Sequence, residues 1–422
     1  MSSVLLTTPA GAYSSSEMPN ALLLFVGTNS SYSWSPYPSY SNNDLDKILD
    51  ATKEFVIINS NATYNYYQKN GTATQIVSNS SINAIQSSDV QYANKLADVK
   101  EDYFGLLSSV GSYSSVTLVN DLVIEKEKLL DFYGYSYWNL DYLSNEAKTV
   151  AQSYKKLNDI VTSYGGYFIY VGVPQQSTYF SEYYPKYMDS RQWHTTAIRT
   201  EFSAAMEEAG VPFLNMTELY KKEGNPDEYY FNTDHHYTYA GAYESYKAIV
   251  ERINTETGWQ IPKMEKKDLI WEQLLNPFLG SSNRKLYALH PTEDKIEIAY
   301  PKEEIPFSRT DNGVPTSAQI YSLPENDKTM VDYTVYMGGD IGETIIETSR
   351  PSLRKALIVG DSFTNPLETL LWMSFDETRS LDYRHYSEKN LLDYIKEYQP
   401  DVVITVRDES VYLSQEGNGA IS

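Results

Sequence analysis

Cysteine is absent from the 422 residues. Disulfides, thiolate metal ligands and a cysteine nucleophile are therefore excluded. The absence leaves the compartment open, because many extracytoplasmic bacterial proteins also lack cysteine. Positive charge is scarce: 34 Lys and Arg stand against 56 Asp and Glu, giving a formal charge of −22. A chain this acidic argues against general nucleic-acid binding, which needs a basic surface. Long apolar runs are missing too. The longest clear one, Ala21–Val26, falls well short of the roughly 20 residues that span a bilayer. No Lys or Arg precedes Lys47, so the basic region of a signal peptide is not evident. Either a targeting segment is not part of this sequence or the protein is cytoplasmic. Histidine is rare, with five in all: His194, His235, His236, His290 and His385.

Tyrosine is abundant, with 39 residues against 13 Phe and 6 Trp. An aromatic ring with a polar tip suits sugar stacking and wet interfaces, and Tyr-rich loops are expected to line a sugar groove. Compositional bias of the source organism is the plainer explanation.

The first 85 residues or so are rich in Ser, Asn and Tyr, with a buried strand expected at 55–58 and a short helix over Asp44 to Lys53. Ser87 to Leu107 is weakly helical, and Leu118 to Leu130 reads as a strand with a charged turn. Beyond this point helices and short apolar strands alternate, the pattern of a parallel sheet with helices on both faces. Ser144 to Tyr164 is an amphipathic helix with Ser144 as N-cap, burying Ala147, Val150, Ala151, Tyr154, Leu157 and Val161. Tyr167 to Val173 is a buried strand. A helix over Asp189 to Glu208, a strand over Val211 to Leu214 and a helix from Thr238 follow. Residues 260–335 break the alternation and read as an insertion or a small β-rich lobe. A strand at Ala356 to Val359, a helix after Ser362, a strand near Ser380 to Tyr383, a helix over Glu388 to Tyr398 and a strand at Asp401 to Val406 complete the chain.

Two stretches carry chemistry. In Arg354 to Phe375 a strand, the turn Gly360-Asp361-Ser362-Phe363 and a helix succeed one another. Ser362 stands at the carboxyl end of a strand and the amino end of a helix. Its hydroxyl can project from the sheet edge, and neighbouring N–H groups can hold an oxyanion. Gly360 is expected to give the turn its backbone freedom. Gly-Asp-Ser is common in turns, so the stretch by itself is equally a β-to-α turn capped by Asp361 and Ser362.

The second stretch is Phe231 to Gly241, with Asp234, His235 and His236 side by side. In an extended segment residues i and i+2 share a face, so Asp234 and His236 would act together while His235 points away. Asp234 would orient the imidazole, and His236 would take a proton from Ser362. Two histidines beside an aspartate also resemble a metal site, which would make a metal-dependent hydrolase. No HExxH-like helix supports that reading. Helix capping with two surface histidines is the blandest alternative.

Asp234-His235-His236-Tyr237 resembles the DHHW motif with Tyr in place of Trp, and the Gly-Asp-Ser-Phe turn resembles that family's serine block. The order of the two motifs is similar to that in the SGNH-hydrolase-like domain of alginate O-acetyltransferases, permuted relative to ordinary SGNH esterases. The resemblance covers roughly residues 119–422 and leaves 1–118 as a region of unknown role. It implies an SGNH-hydrolase-like α/β three-layer sandwich with a mostly parallel sheet, an inserted β-rich segment at about 260–335 and no cofactor. It implies Ser362 as nucleophile, His236 as base and Asp234 as orienting carboxylate, with His235 and Tyr237 as secondary candidates. Oxyanion donors are expected from the N–H of Ser362 and from Gly338-Gly339-Asp340, a Gly-Gly turn that is equally a plain turn. Asp340 stands where an asparagine would serve better, since a carboxylate is a poor oxyanion partner.

The function so implied is O-acetyl transfer or ester hydrolysis on a cell-surface or extracellular polysaccharide, outside the cytoplasm. A membrane-bound acyltransferase would supply the acetyl groups. The rival class is a catalytically inactive SGNH-like protein that binds carbohydrate or a partner protein, favoured by Asp340 and Tyr237.

Overall fold

The computed structural model describes residues 140–183, 190–223, 227–285 and 292–421, together with strand residues 21–26, 54–58, 64–68, 73–75, 115–119, 122–125 and 128–131. The helices expected over Asp44 to Lys53 and Ser87 to Leu107 lie outside them.

Three apolar runs form the centre of the main sheet: β8 (Tyr167–Val173), β15 (Lys355–Gly360) and β17 (Val402–Asp408). Each is buried on both faces, which is why each reads as a near-continuous hydrophobic string. Their side chains alternate between two cores. Ile169, Val171, Ile358, Val402 and Ile404 enter one, while Phe168, Tyr170, Leu357, Val359 and Val403 enter the other. Helices cover both faces. α1 (Leu140–Ser163), α2 (Ser190–Ala209) and α6 (Leu391–Tyr398) close the second core. α3 (Met216–Glu223), α4 (Tyr239–Thr257) and α5 (Thr364–Leu371) close the first. The result is the expected three-layer α/β sandwich.

The sheet has eight strands in the order β13-β12-β14-β16-β15-β17-β8-β9. Here β9 is Phe213–Asn215, β12 Ser308–Asp311, β13 Val314–Thr316, β14 Glu343–Glu347 and β16 Glu377–Leu381. From β16 to β9 all neighbours run parallel, whereas β14, β12 and β13 add an antiparallel edge. The irregular segment is therefore divided. β10 (Leu269–Gln273) and β11 (Glu297–Pro301) pair apart from the main sheet, and β12–β13 extend it. Alternation of helices and strands in sequence marks only the parallel part.

Several boundaries differ from expectation. α1 begins at Leu140, so Ser144 is an interior helical residue and not its cap; buried Leu143 continues the apolar stripe one turn further. Gly165, at φ 86°, ends the helix. α4 begins where expected, with the Thr238 side chain accepting from Gly241 N–H, and ends at Gly258 with φ 72°. The single strand expected over Leu118 to Leu130 is three: β5 (Ser115–Val119), β6 (Leu122–Glu125) and β7 (Lys128–Asp131). They belong to a seven-stranded sheet with β1 (Ala21–Val26), β2 (Glu54–Ile58), β3 (Tyr64–Gln68) and β4 (Ala73–Gln75), ordered β4-β3-β2-β1-β5-β6-β7. This sheet runs across residue 118.

Many tyrosines are structural. Tyr170, Tyr220, Tyr230, Tyr237, Tyr239, Tyr246, Tyr336 and Tyr412 are among the largest fully buried side chains. Several place the hydroxyl on a buried partner, as Tyr220 does on Ser245 at 2.7 Å and Tyr246 on Ser374 at 2.8 Å. These tyrosines build the core.

Candidate active site

The turn after β15 is built by close packing. A Cβ on Gly360 would lie 2.6 Å from the Val406 carbonyl oxygen and 2.5 Å from Thr364 Cγ2, so the position requires glycine for space, not for an unusual φ. Asp361 closes the turn by accepting the Phe363 N–H at 3.1 Å on its carboxylate and the Thr364 N–H at 2.8 Å on its carbonyl. Ser362 does not cap α5. Its Oγ lies 2.7 Å from His236 Nε2. Burial, and then the neighbouring Asp408 charge, push the Asp361 carboxyl above its ordinary value.

The histidine stretch is a loop and not the extended segment expected. A bridge between Tyr230 and Tyr237 closes it, and residues 232–236 form successive bends. Asp234 and His236 still meet, through two contacts to Asp234 Oδ1: the His236 backbone N–H at 3.0 Å and Nδ1 at 2.6 Å. His235 does not point away. Its ring lies 3.8 Å from that of His236, and its Nδ1 is 2.7 Å from Ser281 Oγ.

The second oxygen of Asp234 accepts the Ser281 N–H at 2.6 Å. Burial by itself would raise this carboxyl, but the charge and hydrogen bond of His236, the charge of His235 and the Ser281 N–H outweigh it and hold the pKa well below the usual carboxylate range. An ionised Asp234 fixes the tautomer: Nδ1 carries the proton and donates, leaving Nε2 to accept from Ser362. Burial, then His235, push the His236 imidazole below 6.5 against the opposing pull of Asp234. His236 is therefore a neutral acceptor at neutral pH.

Residues remote in sequence brace this loop, and they went unnoticed in sequence reading. Asp294 accepts the Asn232 and Thr233 N–H groups at 3.1 and 2.8 Å and their side chains at 3.0 and 2.7 Å. Gln176 Nε2 donates to the Asp234 carbonyl at 2.9 Å. Ser281 and Asp294 both come from the irregular segment, and Tyr333, from its far end, stacks on the His236 ring. No short-range pattern marks any of these. Tyr237 ties the two motifs together, since its hydroxyl donates to the Phe363 carbonyl. The replacement of Trp by Tyr thus retains a buried aromatic with a donor.

The oxyanion candidates fare unequally. Gly338 and Gly339 adopt φ 86° and 96°, and the Gly339 N–H is engaged with the Tyr336 carbonyl at 3.0 Å. Asp340 is tied to Arg384 at 2.9 Å and accepts from Asn365 Nδ2 at 3.0 Å. Its charge is thus compensated by a guanidinium. Asn365, three residues after Ser362, is an amide that sequence reading passed over.

Asp234, His235 and His236 also bring ligand-type atoms within 4.8 Å of one another. Those of Asp234 and both nitrogens of His236 are committed to hydrogen bonds, as is Nδ1 of His235. The donor set suits proton transfer better than metal binding. In the other such cluster among the described residues, Asp340, Asp382 and His385, Arg384 pairs with both aspartates.

Comparison with known proteins bears on the fold. Residues 136–310 match the family model described as the SGNH hydrolase-like domain of the acetyltransferase AlgX. The chain has an SGNH hydrolase-like fold. The match includes Asp234 and His236 and ends before Ser362, which the tertiary structure adds. Among solved structures, PatB1 of Bacillus cereus, determined with a sulfonyl adduct, superposes with TM-score 0.58 at 22% identity, covering 69% of this chain and 95% of that one. A DHHW family protein from Eubacterium siraeum superposes with TM-score 0.50 at 18% identity, covering 71% and 93%. The O-acetyltransferase domain of Pseudomonas putida AlgJ aligns at 16% identity over 70% and 92%, with TM-score 0.43. Over residues 136–310 the chain is thus similar to the SGNH hydrolase-like domain of an acetyltransferase, as the resemblance of Asp234-His235-His236-Tyr237 led one to expect.

Proposed function

We propose that the protein is a serine-dependent O-acetyltransferase or acetylesterase acting on a cell-surface or extracellular polysaccharide. The observation that carries this reading is the unbroken relay Asp234–His236–Ser362, with contacts of 2.6 and 2.7 Å. Ser362 Oγ attacks the acetyl carbonyl while its proton passes to His236 Nε2. Asp234 remains ionised and stabilises the imidazolium. The Ser362 and Gly338 N–H groups are the oxyanion donors in this reading. Collapse of the tetrahedral intermediate returns the proton to the leaving group and leaves an acetyl-serine. A second acceptor then gives its proton to His236 and takes the acetyl group. A sugar hydroxyl makes the protein a transferase, and water makes it an esterase. An extracytoplasmic location and a membrane-bound acyltransferase as donor belong to the same proposal.

The test is turnover of a fluorogenic acetyl ester by wild type, Ser362→Ala and His236→Ala, with a sulfonyl fluoride used to label the serine. Loss of turnover in both variants and labelling at Ser362 are expected. Equal rates in all three, or a wild type that neither turns over nor labels, would leave the inactive binding protein as the better reading.

A further inference from the structure

His236 sits in an aromatic slot whose walls differ. On one face lies Tyr333, with ring centroids 3.9 Å apart and planes 8° from parallel. On the other lies His235, at 3.8 Å and 35°. Phe363 flanks the edge at 4.9 Å. We propose that Tyr333 is a positioning residue whose π face holds the His236 ring in plane and stabilises its imidazolium form.

Rotation of the imidazole about its ring bond would break the contacts to Asp234 and Ser362 together. A parallel ring in van der Waals contact opposes that rotation. The two walls act oppositely once a proton arrives. The face of a phenol ring carries negative charge density and attracts a cation, whereas a second imidazole repels it whenever it is itself charged. Asp234 and Asp361 favour the cation, and His235 opposes it. Tyr333 belongs with the first group, through its ring and not through ionisation, since burial keeps its phenol neutral.

Tyr333 is itself held firmly. It is 7% exposed, and the rings of Tyr336 and Phe231 meet it edge-on at 5.1 and 6.4 Å. Asp332 caps the turn that carries it, accepting the Thr334 N–H at 2.9 Å. Its hydroxyl is buried with no hydrogen-bond partner among the described residues. That polar group adds nothing to packing here, which assigns the role to the ring.

The assignment rests on His236 as the proton acceptor, but it is tested on the imidazole itself. The His236 titration midpoint is measured by NMR with labelled histidine in wild type, Tyr333→Phe and Tyr333→Met, with Tyr333→Leu as a second non-aromatic variant. The expected result is an unchanged midpoint in the Phe variant and a fall of about half to one pH unit in the folded Met or Leu variant. A ring that only filled space would give the opposite sign. Its loss would admit water, relieve the burial of His236 and raise the midpoint toward 6.5. A raised or unchanged midpoint in the Met and Leu variants therefore overturns the assignment, as does a Phe variant that behaves like them. The acid limb of ester turnover should follow the midpoint. A midpoint that falls as expected in a protein that neither turns over nor labels at Ser362 would sustain the Tyr333 assignment and remove the enzymatic reading.

Discussion

Gly280→Ala tests whether the irregular segment positions the histidine loop. A Cβ at Gly280 would lie 2.1 Å from the Thr233 carbonyl oxygen, 2.5 Å from its carbon and 2.8 Å from its Oγ1. The nearest of these, at 2.1 Å, falls well inside the ordinary contact distance of 3.4 Å or more, and it is backbone, which cannot rotate away. The same carbonyl accepts the Ser282 and Asn283 N–H groups, each at 3.1 Å, and Thr233 immediately precedes Asp234. Relief of the clash must separate the two loops, and the Ser281 N–H then leaves Asp234. A displacement of about 1 Å in a catalytic group costs about 100-fold in rate. Two stretched hydrogen bonds cost about 2 kcal/mol of stability, which lowers Tm by a few degrees. The assay is acetyl-ester turnover and thermal melting of Gly280→Ala beside Gly258→Ala. Gly258 ends α4 at φ 72° with open space around it, so alanine there strains the backbone far from the site. Gly280→Ala should lose about 100-fold in rate, and Gly258→Ala should lose stability but keep its rate. Wild-type turnover in Gly280→Ala, or equal rate losses in both variants, would refute the reasoning.

Two further outcomes follow from titrating groups. Because burial and His235 hold the His236 pKa below 6.5, the neutral base persists into mild acid. The acid limb of kcat/KM for ester turnover should lie below pH 6.5, and a limb at or above that value would contradict the burial argument. Glu368, buried on α5 with hydrogen bonds from Thr364 and Ser380 at 2.6 and 2.8 Å, has its carboxyl pushed by burial from 4.5 up to about 7. The folded state then holds a proton that the unfolded state has released. Stability should fall as pH rises from 4.5 toward 7 and level off above, by about 3 kcal/mol in all. Glu368→Gln mimics the neutral acid and should abolish that fall, as read from denaturant midpoints at pH 5 and pH 8. A variant with the wild-type slope would show that Glu368 is ionised throughout.

Much of the parallel core was legible in the chain because its signals are local. A strand buried on both faces must be apolar throughout, so β8, β15 and β17 show as short hydrophobic runs. α4 shows its cap in Thr238, while its stop at Gly258 was not read from the sequence. The two motifs were legible for the same reason, since Asp234 and His236 meet within one short loop and Ser362 lies at a strand end. The chemistry proposed for them was also legible, because only a few residue types can pass a proton at neutral pH. Tertiary structure decided the rest. It placed His236 Nε2 against a serine from a distant strand and turned His235 back onto its neighbour. It sent Tyr170, Tyr220, Tyr230, Tyr237, Tyr239, Tyr246, Tyr336 and Tyr412 into the core and recruited Ser281, Asp294 and Tyr333 from a segment without periodicity. Those partners are chosen by hydrogen bonds and ring contacts between residues far apart in the chain. Such contacts depend on how the layers pack and leave no spacing in the sequence to be read.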